Sequence, residues 1–392
     1  MWPSADSRLA PRFTAQAIVG GLLAHAGVTI NGSRPWDIRV HDDRVYRRLL
    51  LSGSLALGES YMDGAWDCAD LVELIFRLLH HRNTEGRRPW VPELNRRMAA
   101  LRRAVLNLQT RARARHVVAA HYDLHPLLFE AMLGETMAYS CAYWAQATTL
   151  DEAQRDKLDL VCRKLRLKRG DRVLDLGCGF GAFARFACEH YGCSVVGVNL
   201  SAIQADYARR FCGNFPVEIH TCDYRDVDVY YRGRPFDSVV SIGMFEAVGH
   251  RNFRQYMALV HRVLKDEALW LLHTIGDEEC SSDPWVTRYI FPNGELPGLD
   301  RLGRAVRGLF HVEDLHSLGG DYLQTLAAWT ERFRAGWTTI QQLDRAVFTD
   351  RFYRMWTYFL ACSAGSFRAR NVYLWQIVMS KGCLAIGYRS VR

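Results

Sequence analysis

Residues 173–183 combine an apolar run, one carboxylate and three closely spaced glycines. The run predicts a strand that ends near Asp175, and Gly177, Gly179 and Gly181 separate it from a predicted helix. Glycines in such a turn let a ligand approach the backbone closely, so the pattern predicts a nucleotide-sized crevice. A carboxylate facing that crevice suits an ammonium or sulfonium group and would repel a pyrophosphate. The same pattern is also compatible with a tight turn that binds nothing.

Polar side chains follow the next two predicted strands as well. Asn199 ends the second strand, and its amide and that of Gln204 could hold ribose hydroxyls through neutral hydrogen bonds. Gln204 also stands three residues after Ser201, which is the spacing of a helix capping box. Asp223 follows the third strand, with Tyr224 beside it. Its carboxylate could accept a hydrogen bond from an adenine amino group or cap a helix.

The elements that would position these residues alternate between strands and helices from about residue 150 onward. This order predicts a doubly wound α/β sheet. The predicted strands cover residues 173–176, 194–198, 217–219, 236–242, 268–274, 372–379 and 384–388. Predicted helices cover residues 151–165, 183–191, 201–211, 253–264, 322–337 and 350–362. Residues 276–310 show little periodicity and contain several prolines and glycines, which favours an inserted substrate loop or lid.

We expect residues 1–110 to form a small mixed domain in front of a sheet domain at 111–392. Helical patterns occur at residues 15–26 and 70–81. Eleven arginines lie between Arg77 and Arg115 against two glutamates, in a chain of net charge +8. Such a stretch attracts nucleic acid or phospholipid headgroups, or it forms a linker or the solvated face of a helix.

The cysteine content and the hydropathy of the sequence indicate the cellular compartment and whether the chain spans a membrane. The eleven cysteines lack paired metal-ligand spacing, so we expect no metal site and a reducing cytoplasm. No run of about 18 apolar residues occurs, and no signal peptide is recognisable, so we expect no membrane-spanning helix.

Several short motifs, in order along the chain, resemble those of the bacterial cyclopropane fatty acid synthases. The resemblance runs from about Ala24 to the C-terminus. Besides the glycine loop, the motifs lie at residues 30–32, 58–64, 121–124, 139–144, 243–246, 272–276, 289–294 and 320–322. Several of these runs are rare in other methyltransferases, whereas the glycine loop alone indicates only the superfamily.

The resemblance implies a class I, Rossmann-like methyltransferase that uses S-adenosylmethionine on a cis double bond of a phospholipid acyl chain. It implies that the alkene attacks the sulfonium methyl and that loss of a proton then closes a cyclopropane ring. The family's base is thought to be a bicarbonate ion rather than a side chain. The matching residues that would hold this ion are Cys141, Glu246, His273, Ile275 through its backbone, and Tyr322.

The residue types at these positions suit that chemistry. Tyr322, His273 and backbone N–H groups can donate to an oxyanion, while Glu246 can accept from the hydroxyl of bicarbonate. Nearby aromatic rings could stabilise a cation by their π faces, namely Tyr139, Tyr143, Trp144 and Phe245. We expect Tyr139 and Ser140 at the cofactor as well. Taken singly, Cys141, Glu246, His273 and Tyr322 would be assigned to the core or to a solvated loop, and only their joint occurrence indicates a site.

The chain departs from the family pattern at three places. Where the family has tryptophan and two glycines in the cofactor loop, this chain has Phe180, Gly181 and Ala182. Ala247 stands where the family often has histidine, and His125-Pro126 replaces a common Gly-Asn pair, with loss of a backbone donor at the proline. These changes bear on the substrate and the product more than on the cofactor.

Three functions remain open from the sequence. The first is a cytoplasmic synthase that acts peripherally at the inner membrane surface on unsaturated phospholipid, without nucleic acid, with a homodimer implied by resemblance alone. The second is a related methyltransferase that yields a methyl-branched lipid or a methylated small molecule. The third is a lipid- or cofactor-binding protein with an inactive site.

Overall fold

A computed structural model describes residues 14–84, 109, 124–231, 233–278 and 283–392. Most of the arginine-rich stretch lies outside these residues, and so does the boundary predicted near residue 110. The His121–Asp123 part of one family motif also lies outside them. The division into two domains therefore stays a prediction.

A seven-stranded sheet forms the centre of the described chain, and its order is β5-β4-β3-β6-β7-β9-β8. Its strands are β3 (Arg172–Leu176), β4 (Ser194–Asn199), β5 (Val217–Thr221), β6 (Phe236–Ile242), β7 (Leu264–Gly276), β8 (His311–Ser317) and β9 (Tyr373–Ser380). The strands β3 to β7 pair in parallel, while β9 lies antiparallel between β7 and β8. The nearly continuous apolar runs of β3 and β4 are buried on both faces, as parallel strands require. The predicted doubly wound α/β sheet is confirmed.

Helices cover both faces of the sheet and extend to one side of it. They are α1 (Ala15–His25), α2 (Arg44–Met62), α3 (Leu71–Thr84), α4 (Pro126–Leu133), α5 (Leu150–Lys164), α6 (Ala182–Tyr191), α7 (Ala202–Cys212), α8 (Asp228–Tyr231), α9 (Phe253–Val263), α10 (Pro284–Tyr289), α11 (Leu299–Val306), α12 (Gly319–Leu343) and α13 (Asp350–Arg368). A full capping box at Thr149 and Glu152 begins α5, because each side chain bonds the other residue's backbone N–H. Such local signals explain why most predicted helices are observed.

The sheet reverses its order at β3 and β6. The chain proceeds outward from β3 through β4 to β5, and then returns to β6 on the other side of β3. Loops that leave the carboxyl ends of β3 and β6 therefore diverge, and a crevice opens between them. The glycine loop follows β3, and Glu246 follows β6.

The N-terminal helices share one hydrophobic core with the last two helices. A short antiparallel pair, β1 (Arg39–Val40) and β2 (Trp66–Asp67), accompanies α1 to α3. Gly365 on α13 lets that helix approach α3, because an added Cβ would lie 2.6 Å from a side-chain carbon of Ile75. Arg354 of α13 donates to the carbonyl oxygen of Trp66 at 2.8 Å and to Asp67 at 2.7 Å. The N-terminal segment is thereby fixed against the helices that flank the crevice.

Three details differ from the sequence-based expectations. Residues 384–388 do not form a strand; Gly382 and Gly387 have positive φ there, and Leu384 and Tyr388 pack onto the core beside α5. The strand β8 was missed because its mostly polar sequence has no apolar run. The predicted loop at 276–310 contains α10 and α11, which were obscured by the surrounding prolines and glycines.

Candidate active site

A cavity of about 1500 Å³ connects the carboxyl edge of the sheet with the N-terminal helices. At the sheet, it is lined by the glycine loop and by the residues after β4, β5 and β6. Side chains of α3 and α13 line another part of it, where the apolar Leu78, Leu79 and Phe367 occur together with polar residues such as Asn83 and Ser366. One cavity thus joins a polar, nucleoside-sized region to an apolar channel.

The glycine loop has the backbone that the sequence predicted. Gly177 and Gly179 adopt φ of +84° and +53°, a region that other residues rarely occupy. A Cβ on Gly177 would lie 2.6 Å from Cβ of Met244, whereas a Cβ on Gly179 would meet nothing within 4 Å. Both glycines line the cavity. The loop therefore leaves bare backbone facing the space where a cofactor would bind.

Asp175 lies at the base of this loop and is only 2% exposed. Burial raises the pKa of its carboxyl to about 7, although the charge of Lys157 acts in the opposite direction. Only the charge of Lys157 offsets the cost of burying this carboxylate, so an incoming cation would strongly stabilise its ionised form. The position suits the ammonium or sulfonium group that the sequence predicted.

Lys157 is a residue that the sequence analysis missed. Its ammonium is buried and donates to Oγ of Ser140 at 2.9 Å, and both residues line the cavity. Burial lowers the pKa of Lys157 to about 8, against the opposing effects of Cys141 and Asp175. A lysine on the face of α5 that also carries Leu158 and Val161 was the signal that could have revealed it.

The ribose and adenine residues are brought to the cavity, but they also bond one another. Asn199 donates through Nδ2 to Oε1 of Gln204 at 3.1 Å and to the carbonyl oxygen of Gly179 at 3.0 Å. Ser201 caps α7 by accepting from the Gln204 backbone, but the Gln204 side chain accepts from Asn199 instead of completing a capping box. The amides are therefore oriented before any ligand arrives.

Asp223 serves as a cap in the structure. Its Oδ1 accepts from the backbone N–H of Arg225 at 3.0 Å, and both oxygens pair with the Arg225 guanidinium, at 2.7 and 2.6 Å. Asp223 and Tyr224 nevertheless line the cavity. The position of Asp223 is therefore compatible with both roles predicted from the sequence, the helix cap and the contact with an adenine amino group.

Glu246 is held by the backbone of the neighbouring strand. Its Oε1 accepts a hydrogen bond from the Ile275 N–H at 2.6 Å. Its Oε2 is buried and has no hydrogen-bond partner among the described residues. Burial raises the pKa of this carboxyl, against the hydrogen bond from Ile275. The free oxygen can therefore accept from a hydroxyl group in the cavity.

His273 lies at the end of β7 and is 1% exposed. Its Nδ1 faces Nε2 of Gln376 at 3.3 Å, and within the described chain its Nε2 bonds to nothing. Burial, with the charges of Lys157 and Lys164, lowers the pKa of His273 well below its ordinary value. The imidazole is consequently neutral and can offer one N–H.

Tyr322 and Ile275 join Glu246 and His273 at the cavity wall, whereas the thiol of Cys141 does not. The Cys141 side chain is fully buried, with Sγ 4.0 Å from Oγ1 of Thr325 and 3.8 Å from the Leu318 carbonyl oxygen. Burial raises its pKa well above the ordinary value. The thiol is a core group, so Cys141 could contribute to the site only through its backbone.

Of the four aromatic residues named from the sequence, only Tyr139 lines the cavity. Phe245 is fully buried and stacks on Phe253 at a centroid distance of 4.4 Å. Tyr143 packs against His316 behind the site. The other aromatic side chains that line the cavity include Phe291, Tyr322, Trp329, Tyr358 and Phe367. They come from distant segments, which is why sequence proximity misled the prediction.

The departures from the family pattern are accommodated locally. Phe180 is buried and its ring contacts those of Phe129 and Tyr207, while Ala182 simply begins α6. His125 caps α4 and accepts from the Leu127 N–H at 3.3 Å. Pro126 takes the first helical position, where a backbone donor has no intrahelical acceptor. The predicted loss of a donor therefore has no structural cost.

The residues present fit S-adenosylmethionine. The bare loop at Gly179, the buried Asp175 and the oriented amides of Asn199 and Gln204 match a sulfonium-bearing nucleoside. Among the described residues, Oε2 of Glu246 and Nε2 of His273 are two buried polar atoms without a hydrogen-bond partner, and both residues line the same cavity. The fold and this site define a class I S-adenosylmethionine-dependent methyltransferase.

Comparison with known proteins specifies the family. Residues 109–377 match the family described as mycolic acid cyclopropane synthetase. The chain is 45% identical over 367 residues to the cyclopropane-fatty-acyl-phospholipid synthase of Escherichia coli K12, with 93% of each chain covered. It is 33% identical to the tuberculostearic acid methyltransferase UfaA1 of Mycobacterium tuberculosis, with 86% of this chain and 81% of that protein covered.

A solved structure agrees with these relatives. The mycolic acid cyclopropane synthase CmaA1, complexed with SAH and CTAB, superposes with a TM-score of 0.62 at 31% identity. The match covers 68% of this chain and 98% of that one. The chain therefore belongs to the mycolic acid cyclopropane synthetase family, and the predicted resemblance is confirmed.

None of the described helices is both long and apolar enough to cross a bilayer.

Proposed function

We propose that the protein converts a cis double bond in a phospholipid acyl chain into a cyclopropane ring. The single observation that carries this proposal is the continuity of the cavity. The same cavity is lined by Asp175 in the cofactor region, by Glu246 and His273, and by Leu78 and Leu79 of the apolar channel. An acyl chain in that channel reaches the methyl donor with its double bond while its headgroup stays outside.

S-adenosylmethionine supplies the electrophilic methyl group. The Asp175 carboxylate would attract the positive charge of the cofactor, while Asn199 and Gln204 would hold its ribose hydroxyls and Asp223 and Tyr224 its adenine. Tyr139 and Ser140 lie on the same wall, and Lys157 fixes the Ser140 hydroxyl. The binding energy of these groups positions the methyl carbon against the alkene.

The site must also stabilise the positive charge that forms on the substrate. As the π electrons form the new C–C bond, positive charge develops on the other alkene carbon, and aromatic faces such as those of Tyr322 and Trp329 stabilise it. A bound acyl chain, packed against apolar side chains such as Leu78 and Leu79, would displace the water that could otherwise trap the cation as an alcohol. Ring closure then requires that a C–H bond of the former methyl group break and that its electron pair form the last C–C bond.

A bicarbonate ion would supply the base at this point. Glu246 would accept a hydrogen bond from its hydroxyl through Oε2, which has no partner among the described residues, and His273 would donate a hydrogen bond through Nε2. Tyr322 and the backbone at Cys141 and Ile275 complete the proposed binding site. The Ile275 N–H acts through Glu246, because it already donates to the other carboxylate oxygen. We expect no titratable side chain to act as the base itself, because His273 is needed as a donor to the bicarbonate and Glu246 as the acceptor from its hydroxyl.

The protein would meet its substrate at a membrane surface. The arginine-rich stretch between Arg77 and Arg115 and the net charge of +8 favour anionic phospholipid over a neutral surface. We propose a cytoplasmic enzyme that binds peripherally to the inner membrane surface and is dimeric.

Incubation with S-adenosylmethionine and unsaturated phospholipid vesicles, followed by mass and proton NMR analysis of the acyl chains, tests the proposal. A gain of one CH₂ with loss of the alkene signal and appearance of ring protons is expected. A saturated methyl branch, or an alkene retained beside the added carbon, would instead indicate the methyl-branching activity. Cofactor binding without transfer to any lipid would leave a binding protein only.

A further inference from the structure

Behind the active site, a row of polar side chains crosses three neighbouring strands at one level. His273 on β7 pairs in register with Gln376 on β9, and Gln376 pairs in register with His316 on β8. Directly opposed residues of antiparallel strands present their side chains on the same face of a sheet. The three side chains therefore line up, from the cavity wall at His273 to the sheet edge at His316.

Lys164, the last residue of α5, lies against this row and is fully buried. Its Nζ lies 2.9 Å from Oε1 of Gln376, 3.0 Å from Nδ1 of His316 and 3.8 Å from Oδ2 of Asp314. The first two contacts are hydrogen bonds in which Nζ donates, and Asp314 forms an ion pair with it. Burial lowers the pKa of Lys164 to about 7, while the charge of Asp314 acts in the opposite direction and favours the ammonium form. Arg392 pairs with Asp314 at 2.7 Å and so fixes the far end of this network.

The orientation of the Gln376 amide follows from these contacts. The amide has one accepting end and one donating end, and only the oxygen can face the Lys164 ammonium. The nitrogen must then face Nδ1 of His273, at 3.3 Å. An amide N–H bonds only to a ring nitrogen that carries a lone pair, so the single proton of the neutral imidazole resides on Nε2.

We propose that Lys164 and Gln376 are positioning residues that fix His273 in the tautomer with its proton on Nε2. In that tautomer the buried Nε2 of His273, which has no partner within the described ranges of the chain, is a donor, and His273 lines the cavity. The opposite tautomer would present a lone pair to the same point and would repel an oxyanion. The inference rests on the proposed role of His273 as a donor to bicarbonate.

The Gln376→Glu variant tests this proposal with almost no change in shape. A carboxylate at residue 376 pairs with Lys164 but can only accept from His273, so the imidazole proton moves to Nδ1. Gln342→Glu makes the same chemical change at an exposed position of α12 and serves as the matched control. Uniform thermal stability of the three proteins would show that the fold is retained.

Two readouts apply to each protein. In samples with ¹⁵N-labelled histidine side chains, protonated and unprotonated ring nitrogens resonate at well-separated frequencies, and the His273→Asn spectrum identifies the His273 signals. We expect Nε2 to carry the proton in the wild type and the Gln342→Glu control, and Nδ1 to carry it in Gln376→Glu. We also expect kcat of Gln376→Glu to fall about 100-fold at unchanged cofactor affinity, the effect of losing one oxyanion donor.

A second variant covers the case in which Gln376→Glu does not fold. Lys164→Met removes the donor that orients the amide, so the Nδ1-protonated tautomer of His273 should appear beside the Nε2-protonated one. We expect kcat to fall in proportion to the lost fraction of the Nε2-protonated tautomer. Retention of the Nε2 proton with turnover within about twofold of wild type in these variants would overturn the proposal. A tautomer switch with unchanged turnover would support the positioning role of Lys164 and Gln376. It would instead overturn the proposed role of His273 as a donor to bicarbonate.

Discussion

The Ile275 N–H donates to Oε1 of Glu246 at 2.6 Å, and this one bond fixes the carboxylate at the point where β6 and β7 diverge. Because Oε1 accepts this hydrogen bond, the direction of Oε2 is fixed as well. Oε2 is buried and has no hydrogen-bond partner in the described part of the chain. Glu246 and His273 both line the cavity, and with the His273 proton on Nε2 the buried Oε2 of Glu246 accepts hydrogen bonds while the buried Nε2 of His273 donates them. This pairing is what a small anion with one hydroxyl would satisfy.

Replacing Glu246 by alanine should abolish turnover without loss of cofactor binding. We expect kcat to fall by about 10²- to 10⁴-fold, because the group that orients the base is lost, while the dissociation constant of S-adenosylmethionine changes little. Turnover assays and calorimetric titration measure the two quantities. Glu331→Ala, an exposed carboxylate on α12, is the control. A large loss of cofactor affinity in Glu246→Ala would mean that Glu246 belongs to the cofactor site.

Cofactor affinity should depend on pH through Asp175. The pKa of this carboxyl is raised to about 7, so lowering the pH from 8 to 6 protonates it and removes the charge that attracts the cofactor. We expect the apparent dissociation constant to increase about tenfold over this interval, because the ionised fraction falls about tenfold. Asp175→Asn should bind weakly with a flat profile. An equally steep profile in that variant would assign the titration to another group.

The backbone at Gly177 should be intolerant of any side chain. Gly177→Ala costs about 1–2 kcal/mol for the left-handed conformation, and its Cβ would also clash with Met244. Gly170→Ala is the matched control, because Gly170 has φ of +87° and open space around its Cβ position. We expect both variants to melt at a lower temperature, but only Gly177→Ala to lose cofactor affinity. Equal affinities in the two variants would refute a role for the loop in cofactor binding.

Filling the apolar channel should affect the lipid and spare the cofactor. Ser366 on α13 lines the cavity and precedes Phe367, another lining residue. A tryptophan there would compete with the acyl chain, and overpacking of about 1–3 kcal/mol predicts an increase in KM for phospholipid of about tenfold or more. Ser366→Ala should behave as wild type. If Ser366→Trp converts long-chain phospholipid normally, the acyl chain takes another path.

Family membership and the sheet were predictable from the sequence, because both depend on local patterns. The apolar runs of β3 and β4, the capping residues of α5 and the glycines after β3 each act over a few residues. Strand β8 was not predictable, since its polar sequence becomes a strand only by pairing with β9. Residues 384–388 show the converse, because their apolar side chains are buried by packing without any strand pairing.

The sequence by itself determined the chemical inventory: a carboxylate beside a glycine loop, and Glu246, His273 and Tyr322 in motifs of one family. Only the tertiary structure decided how these groups are used. In the folded chain the Cys141 thiol lies in the core, and Lys157 lines the cavity and donates to Ser140. Lys164 and Gln376 lie behind His273. The physical reason is that hydrogen-bond orientation and burial depend on residues more than 100 positions apart, which no local pattern records.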